Sequence, residues 1–194
     1  LTDIDFINFF ADEIMQKMVL TGKKEAIDSI INKMPVTPIP NYAYRNQGDL
    51  KFENMAKEWG LGTPGFSNGV AYGDLDNDGD LDMVVNNVNM QSFLYRNNAE
   101  KLTENNYLKI KLEGGEKNGF AIGSLVKLYY NNLIILQELQ PSRGFQSSMD
   151  YVMTIGLGTS DKIDSLRVIW TDKSTQFLTD VEVNHKLELS KKES

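Results

Sequence analysis

The chain is predicted to be mainly β: a short N-terminal helical pair, then a partial β-propeller blade, then a β-sandwich or barrel-like C-terminal domain. Three observations predict this class. Helical spacing of apolar residues is confined to the first 34 positions, a cluster of prolines follows it, and short segments of alternating apolar and polar residues fill the remainder. With 194 residues, 41% of them hydrophobic, the chain is long enough to bury a core.

Residues 2–34 are predicted to form two short helices, because apolar residues recur at intervals of three and four. These residues are Phe6, Ile7, Phe10, Ile14 and Met18 in the first helix, and Ala26, Ile27, Ile30, Ile31 and Met34 in the second. Pro35, Pro38 and Pro40 then end the helical pattern, since proline lacks the amide hydrogen that a helix needs. The predicted first domain is therefore a helical insertion with a proline-rich linker, residues 1–40.

Residues 41–104 are predicted to form a propeller-like blade. The sequence Tyr-Ala-Tyr-Arg-Asn at residues 42–46 returns as Phe-Leu-Tyr-Arg-Asn at residues 93–97, and a polar turn follows each copy. The spacing is close to the roughly 40 to 50 residues of one four-stranded propeller blade. We interpret the two copies as the same position in consecutive blades.

Residues 105–194 are predicted to form a β domain of sandwich or barrel type. Alternation is clearest at residues 107–112 and 124–130, and Asn131-Asn132 marks a hairpin turn into residues 133–139. Further strands are predicted at residues 151–155, 164–170, 175–178 and 186–189. Many strands at short spacing favour a sandwich or a barrel.

An aspartate-rich loop carries the strongest chemical signal. Aspartates stand at every second position, and Gly79 at position six permits a sharp backbone bend. Calcium prefers six to eight oxygen ligands, which such a loop supplies. The predicted calcium ligands are the side chains of Asp74, Asp76, Asp78 and Asp82 and the main-chain carbonyl of Asp80. An EF-hand is excluded because position twelve, which requires glutamate, is Val85.

The amino-acid composition restricts the classes of function that this protein can have. The net charge is −7, and the acidity is concentrated in this loop, so we expect a cation site and no nucleic-acid binding. Apolar runs fall short of the roughly 18 residues of a membrane span, and no cysteine is available for a disulfide. The chain opens at Leu1 without a signal peptide, from which we expect a mature form or a fragment of a larger surface protein.

Several motifs resemble known families. Residues 69–74 (Gly-Val-Ala-Tyr-Gly-Asp) through Asn86-Asn87, with the Tyr-Arg-Asn repeats, resemble an FG-GAP or VCBS-type calcium-binding propeller repeat. Residues 107–189 resemble an ASPIC/UnbV domain through the segments 121–124 (Ala-Ile-Gly-Ser), 144–148 (Gly-Phe-Gln-Ser-Ser), 156–158 (Gly-Leu-Gly) and 168–170 (Val-Ile-Trp). This architecture is similar to that of cartilage acidic protein and of bacterial cell-envelope proteins. The resemblance implies an extracellular or cell-surface protein, associated in bacteria with the outer membrane.

The function expected from these features is a calcium-stabilised, non-catalytic binding or adhesion module for a glycan or protein ligand at the cell surface. His185, the one histidine, lacks a recognisable nucleophile partner, so we predict no enzyme. Arg143 and Phe145 are candidate ligand contacts outside the loop. The alternative is part of a glycan-processing enzyme whose catalytic residues lie outside this chain, with a carboxylate pair drawn from Glu138, Asp150, Asp180 and Glu182.

Overall fold

The computed structural model describes residues 4–22 and 37–192, which belong to two compact units, Leu1–Pro38 and Ile39–Ser194. The first unit contains helix α1 (Ile4–Thr21), which confirms the first predicted helix. The second predicted helix, at residues 26–34, lies outside the described residues. No helix in the described ranges is both long and apolar enough to cross a membrane.

The second unit is built from short strands, with one further helix, α2 (Ala99–Leu102). The first seven strands are β1 (Ile39–Pro40), β2 (Tyr44–Gly48), β3 (Lys51–Asn54), β4 (Pro64–Gly65), β5 (Ser67–Gly73), β6 (Asp82–Asn87) and β7 (Phe93–Tyr95). The next seven are β8 (Asn106–Glu113), β9 (Leu125–Tyr130), β10 (Leu133–Glu138), β11 (Val152–Gly158), β12 (Ile163–Ile169), β13 (Thr175–Val181) and β14 (Lys186–Ser190). The protein is therefore mainly β, as predicted.

Strands β1 to β7 form three small antiparallel sheets: β1 with β4, β2 with β3, and a three-stranded sheet in the order β5-β6-β7. Val70 pairs with Val85 and Val85 with Phe93, so the three-stranded sheet is a simple meander. Ala56 and Val85 are the only buried apolar side chains described in this part of the unit. These three sheets therefore have little hydrophobic core of their own.

Strands β8 to β14 form a β-sandwich. One sheet has the order β10-β9-β12-β13 and the other β11-β8-β14, with β14 parallel to β8. Alternate side chains of both sheets point into one core, which includes Leu108, Ile110, Leu128 and Leu166, all fully buried. No sheet in the described part closes into a barrel, so of the two predicted architectures the structure has the sandwich.

The β9–β10 hairpin turns at the predicted dipeptide. Asn131 and Asn132 have φ of 47° and 59°, and Tyr130 pairs with Leu133 across the turn. Positive φ at both central residues gives the backbone twist that two-residue hairpins require, and asparagine tolerates it better than most residues. Turn chemistry therefore fixes the register of this edge of the sandwich.

In the described chain, no sheet contains strands from both sides of residue 105. Strands β1 to β7 pair among themselves, and strands β8 to β14 pair among themselves. Residues 39–194 nevertheless pack as one compact unit. The predicted division into residues 1–40, 41–104 and 105–194 as domains stays a prediction.

Candidate metal centre

The aspartate-rich loop connects β5, which ends at Gly73, with β6, which begins at Asp82. Its bend lies at Gly79, where φ is +101°. The loop folds over its own carboxylates: Asp74 Oδ2 accepts the N–H of Gly79 at 3.1 Å, and Asp78 Oδ1 accepts the N–H of Asp80 at 3.3 Å. These two hydrogen bonds hold the loop in a tight turn.

Three of the five predicted ligands come together. One carboxylate oxygen from each of Asp74, Asp76 and Asp78 lies within 4.8 Å of the other two. The donor atoms are all oxygens, which hard cations such as calcium and magnesium prefer over sulfur or nitrogen ligands. This arrangement can hold a divalent cation.

Asp80 takes part in a different group. Its carboxylate lies with those of Asp78 and Glu100, and its Oδ2 accepts the N–H groups of Ala99 at 2.9 Å and Glu100 at 3.3 Å. The Asp80 side chain thereby satisfies two backbone amides at the start of α2. Glu100 was not predicted, because nothing near residue 100 in the sequence marks it as a partner of the loop.

Asp82 lies in neither group and is 3% exposed. Its Oδ2 accepts the N–H of Leu75 at 3.1 Å, and its Oδ1 accepts the N–H of Asn97 at 2.9 Å. Both carboxylate oxygens therefore tie the start of the loop to the segment that follows β7. In the structure Asp82 connects two backbone segments, and its predicted role as a side-chain ligand stays a prediction.

Two basic side chains neutralise part of the loop's charge. Arg96 Nη2 lies 2.9 Å from Asp76 Oδ2 and 3.0 Å from Asp78 Oδ2. Lys109 Nζ lies 2.6 Å from Asp74 Oδ2 and 3.2 Å from Asn77 Oδ1. Arg96 belongs to the repeated Tyr-Arg-Asn motif, which gave a sequence signal for its position but none for its partners. Lys109 gave no signal, because a lysine in an alternating strand is ordinarily solvent-exposed.

Two oxygens of the loop are buried without a hydrogen-bond donor, Asp74 Oδ1 and Asp80 Oδ1. The Asp74 side chain is 1% exposed. A buried carboxylate oxygen without a donor is costly unless a cation approaches it. The chemistry and burial of these residues thus fit a bound hard cation.

The pKa shifts of the loop carboxyls reflect burial and the charged groups around them. Burial raises the pKa of Asp76, against the opposing effect of Arg96. Burial likewise raises the pKa of Asp80, although the N–H groups of Glu100 and Ala99 oppose it. Burial also acts to raise the pKa of Asp78, but hydrogen bonds from Arg96 and from the Asp80 amide outweigh it, and the net pKa is lowered. In both raised pKa values burial is the largest cause, and the negative charge of neighbouring carboxylates adds to it.

The other candidates belong to neither acidic group among the described residues. Arg143 Nη1 donates to Tyr72 Oη at 3.0 Å, so it joins the segment before β11 to β5. Phe145 is 64% exposed. The carboxylates considered for glycoside hydrolysis are all exposed: Glu138, Asp150, Asp180 and Glu182.

Two family models match the chain. Residues 34–85 match the FG-GAP-like repeat, and this segment includes the whole aspartate loop. Residues 114–194 match the ASPIC and UnbV model, and this segment includes six of the seven sandwich strands, β9 to β14. No curated protein matches the chain. The two matches confirm the resemblance drawn from the motifs: a segment that matches the FG-GAP-like repeat is followed by a segment that matches the ASPIC and UnbV model.

Proposed function

We propose that this protein is a calcium-stabilised, non-catalytic binding or adhesion module. One observation carries the proposal: carboxylate oxygens of Asp74, Asp76 and Asp78 converge within 4.8 Å, and the buried Asp74 Oδ1 has no hydrogen-bond donor. A calcium ion in this position would supply the charge that the local amides and basic side chains only partly provide.

A bound ion would fix the conformation of a loop that contacts several elements. Asp74 follows β5 directly, its partner Lys109 lies on β8, and Arg96, which bridges Asp76 and Asp78, follows β7. Neutralising the carboxylates removes their mutual repulsion, so the loop can hold these elements together. The role of the ion in this proposal is structural.

Exposed aromatic side chains give the module a surface for a partner. The rings of Tyr42 and Tyr44 stack with centroids 6.2 Å apart and are 65% and 59% exposed. Aromatic faces bind both sugar rings and apolar protein side chains, and tyrosine combines an apolar ring with a polar hydroxyl. A glycan or protein ligand at the cell surface fits this chemistry.

An extracellular or cell-surface location, with outer-membrane association in a bacterium, follows from the kind of protein in which FG-GAP-like repeats and ASPIC/UnbV domains occur. Calcium is abundant outside cells, where modules with dissociation constants of about 10⁻⁴ to 10⁻³ M are occupied. A loop already partly neutralised by two basic side chains suits this weak range.

The test is calorimetric titration with calcium, together with the thermal midpoint in excess calcium and in chelator, for the wild type and Asp78→Ala. With a Kd of about 10⁻⁴ M and roughly 2 mM calcium, the ion should add about 1.8 kcal/mol to the free energy of unfolding. This corresponds to a rise of roughly 4 to 7 °C in the midpoint. Asp78→Ala should abolish most of the rise, because it removes one of the three converging ligands.

A wild-type midpoint that is indifferent to chelator, with no heat of binding, would contradict the calcium site. Activity of the isolated chain on a polysaccharide panel, lost on changing a single exposed carboxylate and retained in Asp78→Ala, would contradict the non-catalytic role.

A further inference from the structure

The aspartate loop lies against the outer face of strand β8 in the C-terminal sandwich. Residues of β8 alternate, so Leu108, Ile110 and Leu112 point into the core while Tyr107 and Lys109 share the opposite face. A Cβ placed on Gly79 would lie 2.0 Å from Tyr107 Cε1, which shows how closely the loop approaches this face.

Lys109 is unusually buried for a lysine on the outer face of a sheet. Its side chain is 10% exposed, and within the described part of the chain its ammonium donates to two oxygens of the loop, those of Asp74 and Asn77. Lys111, two residues along on the same face, is 38% exposed and pairs instead with Glu113 and Glu188. The difference between Lys109 and Lys111 shows that the loop contacts bury Lys109. The position of Lys109 in the alternating pattern of β8 does not by itself explain its burial.

We propose that Lys109 is a resident counter-cation of the aspartate loop that competes with a metal ion for Asp74 and so sets the metal affinity from strand β8 of the sandwich. This inference rests on the proposed calcium function. The buried Asp74 carboxylate needs a positive partner, because an unpaired charge in the interior is strongly destabilising. Lys109 provides that partner at Oδ2 and leaves Oδ1 open.

A divalent ion bound through Oδ1 shares the carboxylate with the ammonium group of Lys109. The two cations repel each other in a partly buried site, where charge interactions are stronger than in bulk water. Ion binding therefore weakens the Lys109–Asp74 pair, and that pair weakens ion binding by the same factor, because coupling between two binding events is reciprocal. Since Asp74 and Lys109 lie in different segments of the chain, this coupling connects the repeat with the sandwich.

The test compares Lys109→Met with Lys111→Met in the full chain. Methionine keeps an unbranched side chain of similar length and removes the ammonium group, which takes away both the charge and the N–H donors. Calorimetric titration with calcium chloride should give at least tenfold tighter binding for Lys109→Met than for the wild type, and unchanged binding for Lys111→Met. A tenfold change equals about 1.4 kcal/mol.

A second readout does not depend on the titration. In chelator, Lys109→Met should unfold at a lower temperature than the wild type, because Asp74 has lost its counter-charge. Saturating calcium should remove most of this difference. Lys109→Gln, whose amide can still donate a hydrogen bond to Asp74, serves if the methionine variant does not fold.

The outcomes separate this inference from the proposed function. If the wild type binds calcium and Lys109→Met binds it no more tightly, or if the midpoint deficit is equal in chelator and in calcium, the inference is overturned while the calcium function stands. If Lys109→Met binds calcium and the wild type does not, the counter-cation role stands and the proposed function of the natural chain fails. If neither protein binds calcium, both are overturned.

Discussion

Residues of one type perform different tasks in the aspartate loop. Asp74, Asp76 and Asp78 converge as candidate ligands, Asp80 accepts amides at the start of α2, and Asp82 joins two backbone segments. The difference comes from the hydrogen-bond donors that surround each carboxylate. The two backbone amides that Asp82 accepts already use about half of the roughly four lone-pair sites of its carboxylate.

Asp82→Ala provides the residue-scale prediction. Both oxygens of the buried Asp82 accept backbone N–H groups, and their removal leaves the amides of Leu75 and Asn97 without a partner. We expect a loss of about 2 to 3 kcal/mol in the free energy of unfolding, from hydrogen bonds to a charged acceptor. Urea denaturation should show this loss equally in calcium and in chelator.

Asp78→Ala is the matched control, since its effect should appear mainly in calcium. A loss for Asp82→Ala that is confined to calcium-containing buffer would identify Asp82 as a metal ligand and contradict its assignment as a structural connector.

At the scale of elements, the loop and strand β8 depend on one glycine. Gly79 has φ of +101°, and the ring of Tyr107 on β8 occupies the space in which a Cβ would lie. The sequence predicted a bend at this position. The contact with Tyr107 is a second and independent reason that only glycine fits.

Gly79→Ala should therefore destabilise the protein by about 2 kcal/mol or more, by adding backbone strain and by displacing the Tyr107 ring. Chemical denaturation of Gly79→Ala, Tyr107→Ala and the double variant separates the two causes. In the double variant the clash is absent, so the loss of unfolding free energy caused by Gly79→Ala should be smaller than it is beside Tyr107. About 1 kcal/mol of this loss, which comes from backbone strain, should remain. Strictly additive effects of the two substitutions would contradict the packing contact.

At the scale of the whole molecule, the hydrophobic core is unevenly distributed. The buried cluster extends from Leu108 to Leu189 and lies entirely within the sandwich. The sheets formed by β1 to β7 leave large apolar side chains exposed, including Phe52 at 61% and Leu94 at 69%. Contacts that join them to the sandwich include the Asp74–Lys109 ion pair with β8 and the hydrogen bond of Arg143 with Tyr72.

We therefore expect residues 105–194 to fold alone and residues 39–104 to remain unfolded alone. Only the sandwich buries enough apolar surface to offset the conformational entropy lost on folding. Thermal unfolding by circular dichroism should show a cooperative transition for residues 105–194 and for the full chain, and none for residues 39–104. A dispersed amide NMR spectrum from residues 39–104 would contradict this dependence.

Local sequence patterns were enough to predict several strands, one hairpin turn and the aspartate loop of this protein. Period-two alternation located β8 and β9, paired asparagines located the hairpin between β9 and β10, and alternating aspartates around Gly79 located the loop. Each of these signals lies within about ten residues, because strand periodicity and turn geometry depend on neighbouring side chains. Motifs of similar length also carried the family resemblance.

Tertiary structure decided which of these residues meet. Lys109 lies 35 residues from Asp74 in sequence, and Arg96 lies 18 residues from Asp78, so no local pattern could identify either pair. The choice of a sandwich over a barrel likewise depended on which strands pair and which edges stay open. The physical reason is common to both: charge compensation and sheet pairing act between segments far apart in sequence, and only folding brings those segments within a few ångströms.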